Sequence, residues 1–396
     1  MQLVITALRV TLLIGLVCAC LAFIGKQTNS TYSQSTAPVA DFQYRFANIA
    51  IPKASEAEPL LDNFSLQRGL SYLDQANAAW NGGRRCITCH TNGSYMTTRP
   101  ALTDKVGQPP KEARQFFVAA LKDLMVQPRE KYTKGIAATQ VIYVAAGLAE
   151  WDAHVTKRLS TETVQGMALM FEIQREDGAW ARPSTCWPPF ESDSYHGATL
   201  AAMAIATAPG WLKGEDGRRL QSKVKLLQHY LRTETPPHDY SRLWLLRAAS
   251  RMPGLLSKSE KRELLTMVLS HQRKDGGWSI RTFAHPEQWG IGTRAAKLRA
   301  EPTFEDPPSD GHQTGLAIVA LREAGLPSRD PRIQRGVRWL LANQRVSGRW
   351  WTRSLNTDRW HYITLSGTGY ALQALDLADS LPRNVAVQKG GAGQGR

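Results

Sequence analysis

One phrase recurs along the chain and limits the folds open to it: a helical segment, then Gln, a Gly turn and Trp. Three copies share a seven-residue frame, Gln174 to Trp180 (QREDGAW), Gln272 to Trp278 (QRKDGGW) and Gln344 to Trp350 (QRVSGRW). Gln75 to Trp80 (QANAAW) is a looser fourth, one residue shorter. Each of the three ends a stretch with apolar residues at helical spacing, such as Val164, Met167, Ala168 and Phe171, or Val337, Leu340 and Leu341. The Gly lets the chain reverse, the Gln amide can tie off helix-end groups, and the Trp ring covers the junction. Ser257 with Glu260 reads as a capping box, and Gly325 before Pro327 as a helix stop. Further helical patterns cover about Arg114 to Met125, Ile136 to Trp151, Tyr195 to Ala206, Leu220 to Leu231, Arg242 to Ala249 and Gly369 to Ala378. Strand-like alternation is nearly absent. About eleven or twelve paired helices between residues 60 and 380 suit a closed double ring, an all-α (α/α)6 toroid in a single domain.

The repeat resembles the QW motif of the squalene-hopene and oxidosqualene cyclases, members of the terpenoid cyclase and protein prenyltransferase superfamily of toroids. Pro308 to Ala317 and Arg335 to Leu340 are similar to the last repeats of a squalene-hopene cyclase, and the likeness covers roughly residues 160 to 380. Those cyclases have two α-domains with the substrate cavity between them, whereas this chain has length for one. It resembles more closely a secreted bacterial squalene cyclase-like family that combines a CxxCHT segment followed by RPAL, a CxWPPYE-type segment and a QRVSGRW-TRSLNTD segment, here Cys86 to Leu102, Cys186 to Glu191 and Gln344 to Asp358.

Val10 to Gly25 is an apolar run between Arg9 and Lys26, as in a secretory signal or a short membrane anchor (residues 1–25), and is short for a transmembrane span. Val17 to Cys20 loosely resembles a lipobox with Cys20 as the lipidated residue. A Ser/Thr-rich stretch from Lys26 reads as a linker (26–60), followed by the toroid (61–380) and a Gly-rich, disordered tail (381–396). An extracytoplasmic, membrane-tethered protein is expected. The net charge of +15 would favour a membrane surface or an acidic partner. With no helix-turn-helix, zinc-finger or RNA-binding signature, nucleic acid is not an expected partner.

Cys86-Ile87-Thr88-Cys89-His90 matches the attachment pattern of c-type haem, with two thioethers and His90 as axial iron ligand. His154, His196 or His312 could supply a second axial ligand; Met96 is too near in sequence. The same residues can be read as a Cys86–Cys89 disulfide, a redox-active CxxC, or zinc held by Cys86, Cys89 and Cys186. A redox partner, or an isoprenoid or other apolar molecule, would follow from the haem and cyclase-like readings respectively.

Glu191, Asp193 and His196 lie before and at the start of a helical pattern. In class II terpene cyclases a DxDD motif in such a place protonates an alkene, which implies Asp193 as general acid with Glu191 and His196 around it. Here the first position is Glu and the fourth is Ser194. The alternative is that Asp193 and Ser194 cap the helix, with Glu191 near its positive end. A prenyltransferase-like zinc triad of Cys186, Asp193 and His196, and a glycosidase pair of Asp193 and Asp310, have the right residue types but no supporting spacing. The segment Trp350 to Asp358 either lines a pocket mouth, with Arg353 or Arg359 binding an anionic headgroup, or closes its turn and locks the last helix. A non-catalytic binding scaffold completes the set of readings.

Overall fold

The computed structural model describes residues 45–84, 86–133, 137–181, 188–191, 193–290, 292–356 and 362–382. Among these are twelve helices of seven residues or more: α1 Leu66–Arg84, α2 Asn92–Thr98, α3 Lys111–Val126, α4 Ala137–Trp151, α5 Thr161–Glu172, α6 Ser194–Thr207, α7 Gln221–Thr233, α8 Asp239–Arg251, α9 Lys258–Ser270, α10 Gly311–Glu323, α11 Pro331–Ala342 and α12 Tyr362–Leu377. A two-stranded antiparallel hairpin, Arg45–Phe46 with Ile49–Ala50, is the sheet among the described residues.

Burial sorts the helices into two rings. In α4 and α10 nearly every residue is buried, whereas α7 buries only Val224, Leu227 and Leu231, and α11 a stripe of Ile333, Gly336, Val337 and Leu340. A helix apolar all round belongs inside and a striped one belongs outside. The neighbour pairs agree: α2 packs on α4, α4 on α6, α6 on α8, α8 on α10, α10 on α12, and α12 returns to α2. The odd-numbered helices pack outside that inner ring, so the chain is an all-α (α/α)6 toroid. Small residues allow the close approach; at Gly315, on α10, a Cβ would run into the α12 backbone at Tyr370 and Ala371.

The three seven-residue repeats clamp the rings in one way. Trp180, Trp278 and Trp350 are fully buried and donate through Nε1 to Met170, Val268 and Leu340, each ten residues back and each at 2.8 Å. The Gln Nε2 bonds its own turn, at the Gly178, Gly276 and Gly348 carbonyls, and also the beginning of the next outer helix. Those second acceptors are the carbonyls of Lys223, Arg332 and, for Gln344, Ser65 just before α1. The last turn is thereby tied to the first helix. The three glycines have φ of +91°, +94° and +94°, a left-handed conformation that side chains resist.

Two sequence expectations change. Gln75 to Trp80 lies inside α1 and forms no turn, since it has no Gly to reverse the chain and its Ala residues propagate a helix. The assigned linker also ends earlier than residue 60. Ile51 and Ala54 are buried, Glu58 pairs with the fully buried Arg349, and the Pro52 and Lys53 carbonyls accept from the same guanidinium. The Ser257–Glu260 capping box is present, and Trp350, Thr352, Thr364 and Thr368 bond the late segment to α12. The anchor, Cys18, Cys20, Cys186, Arg359 and the tail beyond Leu381 and Pro382 lie outside the described residues. Among the described residues no helix is long and apolar enough to cross a membrane.

Candidate active site at the ring mouth

Three neighbouring inner helices begin with capping side chains. Asp193 Oδ1 accepts from the His196 N–H (2.8 Å) at the start of α6, and His238 Nδ1 from the Ser241 N–H (3.1 Å) at the start of α8. Asp310 Oδ1 accepts from the Gln313 N–H (2.9 Å) at the start of α10. Such caps satisfy helix-end donors and stabilise by about 1 kcal/mol each. Ser241 Oγ donates to Asp193 Oδ2 (3.2 Å) and His238 Nε2 lies 3.6 Å from it, which joins the ends of α6 and α8. These ends form one mouth of the inner ring.

The caps point His196, Tyr240 and His312 into the ring. Tyr143 Oη and His196 Nε2 are 3.3 Å apart, Tyr240 Oη and His312 Nε2 3.1 Å, and His312 Nδ1 and Ser366 Oγ 3.0 Å. Phe190 stands edge-on to both imidazoles, and Trp244 packs edge-on to His196. Burial removes the water that would solvate a cation, so His196 falls to about 4, even with Asp193 close by, and His312 to about 3. Both are neutral imidazoles at pH 7.

Glu191 is 6% exposed. Burial raises its carboxyl to about 7, against the opposing pull of a hydrogen bond from the Cys89 thiol. Cys89 is itself raised well above the ordinary thiol range, first by burial and then by Glu191. Glu191 is therefore partly protonated near neutrality. Asp193, the acid expected from the sequence, spends its side chain on the cap, on Ser241 and beside His238.

The mouth also concentrates buried polar atoms that have no protein hydrogen-bond partner: Glu191 Oε2, Ser194 Oγ, His196 Nδ1, Ser279 Oγ and both amide atoms of Gln313. Native folds leave few such atoms, and each one costs about 1–3 kcal/mol unless water or a ligand satisfies it. Deeper in the ring, between Tyr143, Trp244, Arg247 and Tyr370, the remaining cavity is about 10 Å³, room for about one water.

Cys86, Cys89 and His90 lie on the loop ahead of α2. The two thiols are not bonded to each other. Trp80 Nε1 and Asn92 Nδ2 both donate to the Cys86 carbonyl, and Ser94 Oγ donates to that of Cys89. Haem attachment requires Cys86, Cys89 and His90 to share one face. Cys89 turns to Glu191 and Tyr143 inside the mouth, while His90 packs edge-on against Trp80 at 5.4 Å and lies near Arg84. As folded, Cys89 and His90 are engaged with different neighbours. Among the suggested second ligands, His154 is occupied with Glu150 (3.2 Å), and His196 and His312 with Tyr143 and Tyr240. No three His, Cys, Asp or Glu among the described residues are grouped to hold a metal ion.

Cys89, Glu191, Asp193, His196, Asp310 and His312 were singled out in the sequence under separate readings, and the structure brings them to one mouth together with Tyr143, His238, Tyr240 and Ser366, which were not singled out. A weak signal was present: Asp193 to His196, His238 to Tyr240 and Asp310 to His312 each set a cap two or three residues before an inward ring.

No protein-family model matches the chain, and no curated protein does. Among solved structures, it is similar to the ent-copalyl diphosphate synthase from Streptomyces platensis, at 16% identity and a TM-score of 0.48, over 78% of this chain and 54% of that one. A protein from Actinoplanes is similar at 14% identity and a TM-score of 0.43, over 79% and 98%. The chain spans about half the length of the synthase.

Proposed function

We propose that this toroid is an acid-handling enzyme of the terpenoid cyclase kind, with Glu191 as the proton donor to an unsaturated apolar or isoprenoid molecule seated at the ring mouth. The observation that carries the reading is the cluster of buried, partnerless polar atoms around a carboxyl that burial keeps partly protonated near pH 7. In the step, the Glu191 O–H bond breaks, a C–H bond forms at one alkene carbon, and the cation left on the other carbon faces Phe190 and Trp244. Loss of a proton from a neighbouring carbon, to neutral His196 or to water, gives an isomerised product; where a second alkene of the same molecule first attacks the cation and forms a C–C bond, loss of a proton beside the new cation gives a cyclised one. The acid is thus Glu191 in place of Asp193, which positions α6 and α8. The small deeper cavity favours a molecule that presents one end at the mouth.

Haem c on Cys86, Cys89 and His90 is the competing proposal; the unbonded state of the two thiols favours it, since thioether formation needs them free. In the folded chain it would require the loop to turn Cys89 away from Glu191. Tethering through residues 1–25 outside the cytoplasm also belongs to this proposal. The test is expression of the full chain with a cytochrome c maturation system, followed by fractionation, a haem stain, and incubation with squalene and polyprenyl alcohols. The expected result is haem-free protein in the membrane fraction, with product lost at least 100-fold in Glu191→Gln and only a few-fold in Asp193→Asn. Covalent haem, or product formation that depends on Asp193 and not on Glu191, would overturn the reading, as would no product from any substrate; recovery in the soluble fraction alone would overturn the tether.

A further inference from the structure

The outer wall of the ring is electrically lopsided. α7 carries Lys223, Lys225 and Arg232, α11 carries Arg332, Arg335 and Arg338, and neither helix has a carboxylate. Between them α9 adds Lys258, Lys261 and Arg262 against Glu260 and Glu263. On the other half of the wall, formed by α1, α3 and α5, five basic residues meet five acidic ones. The basic half is continuous. Arg232 lies within electrostatic reach of Glu260 at the start of α9, and Arg335 donates to the Gln272 side chain just past its end. These helices turn their apolar stripes inward, as with Val224, Leu227 and Leu231 of α7, which puts the charges outside. Lys225, Arg232, Lys258, Arg262, Arg335 and Arg338 are all exposed.

We infer that the toroid lies on an anionic bilayer through this half of its wall, with α9 nearest the headgroups and α7 and α11 on either side. Charge spread over three neighbouring outer helices, with no cleft to enclose a ligand, attracts a charged surface more than a small anion. Lipid phosphates repeat across a plane and so reach several of these side chains at once. The apolar run Val10 to Gly25 in the same chain favours a bilayer over an acidic protein as that surface. Each basic residue near an anionic surface strengthens binding about fivefold, and the gain fades within a Debye length, about 10 Å at 0.1 M salt. The chemistry at Glu191 has no part in this docking.

The test is acetylation of lysines by a succinimidyl ester, read site by site by mass spectrometry. The full chain is mixed with vesicles of phosphatidylcholine alone or of phosphatidylcholine with anionic phosphatidylglycerol. Lys225, Lys258 and Lys261 should react severalfold more slowly with the anionic vesicles, and high salt should restore their rates. Lys111 and Lys122, on α3, should react equally with both. Lys258→Gln combined with Arg262→Gln alters only exposed side chains, keeps the melting temperature, and should lower the protection of Lys225 and Lys261 severalfold. Inorganic phosphate without vesicles should protect none of them. Equal rates with both vesicles, equal protection on α3, protection unchanged in the double variant, or protection by phosphate alone would overturn the assignment.

Discussion

Glu323→Ala should cost about 3–5 kcal/mol of stability, read as a lowered urea midpoint, because it strands the buried Arg247 guanidinium and takes one of two carboxylates from Arg251. At the end of the ring away from the mouth, Arg247 Nε and Nη2 donate to Glu323 (2.9 and 3.1 Å), and Arg251 Nη2 to the same carboxylate (2.6 Å). Arg251 also pairs with Glu150 and donates to Thr207 Oγ1 at 2.9 Å. Arg247 is 1% exposed and lies over the rings of Trp244 and Tyr370. Water has almost no access to the Arg247 guanidinium to replace a lost partner. Replacing Arg247, Arg251, Glu323 and Glu150 together by apolar residues of similar volume should be far less harmful, since no member of the network is left as an uncompensated buried charge.

The network also sets how the fold responds to acid. Burial alone would raise Glu150, yet Arg251 and His154 hold it down to about 2, below its ordinary 4.5. Glu323 is depressed in the same way, by Arg247 and Arg251 acting against burial. For a depressed carboxyl the stabilisation is complete above pH 4.5 and disappears as pH falls through the folded value, near 2 for Glu150. Acid unfolding should therefore fall in that window in the wild type and be blunted in the apolar quadruple variant.

Glu191→Gln should act with the opposite sign. A carboxyl raised from 4.5 to about 7 stabilises fully below pH 4.5, and the contribution is lost as pH rises through about 7. The loss is about 3 kcal/mol, since each tenfold change in proton affinity is worth about 1.4 kcal/mol. The amide has no proton to lose. Urea midpoints for Glu191→Gln should match the wild type near pH 5 and exceed it near pH 8.5, by an amount set by that difference. Parallel pH profiles would mean that Glu191 titrates as an ordinary carboxylate.

What could be read along the chain was what neighbouring residues decide. Gln174, Gly178 and Trp180 act within one turn, so their spacing carries their role. The bond from Gln344 to the Ser65 carbonyl, which closes the ring, joins opposite ends of the domain and has no local signature. At the mouth, Glu191 and Asp193 were legible as acids, but not which of them would be enclosed and which would cap α6. The burial that raises Glu191 is set beside Cys89, contributed from the loop before α2, and the cap goes to whichever acid reaches the α6 N–H groups. Tyr143, Tyr240 and Ser366 come from three separate inner helices and meet only when the ring closes. The CxxCH spacing is equally plain in the sequence, yet its setting comes from elsewhere in the chain: Trp80 and Asn92 hold the Cys86 carbonyl, and Trp80 packs on His90.

A buried Glu191 that is partly protonated at neutral pH is the central claim, and infrared titration of the carboxylic C=O stretch in the full chain tests it most directly. A band from a protonated acid should persist to a midpoint of about pH 7, shift in frequency in Cys89→Ala as its thiol hydrogen bond is lost, remain in Asp193→Asn and be absent in Glu191→Gln. A band lost by pH 5, or one removed by Asp193→Asn and not by Glu191→Gln, would contradict it.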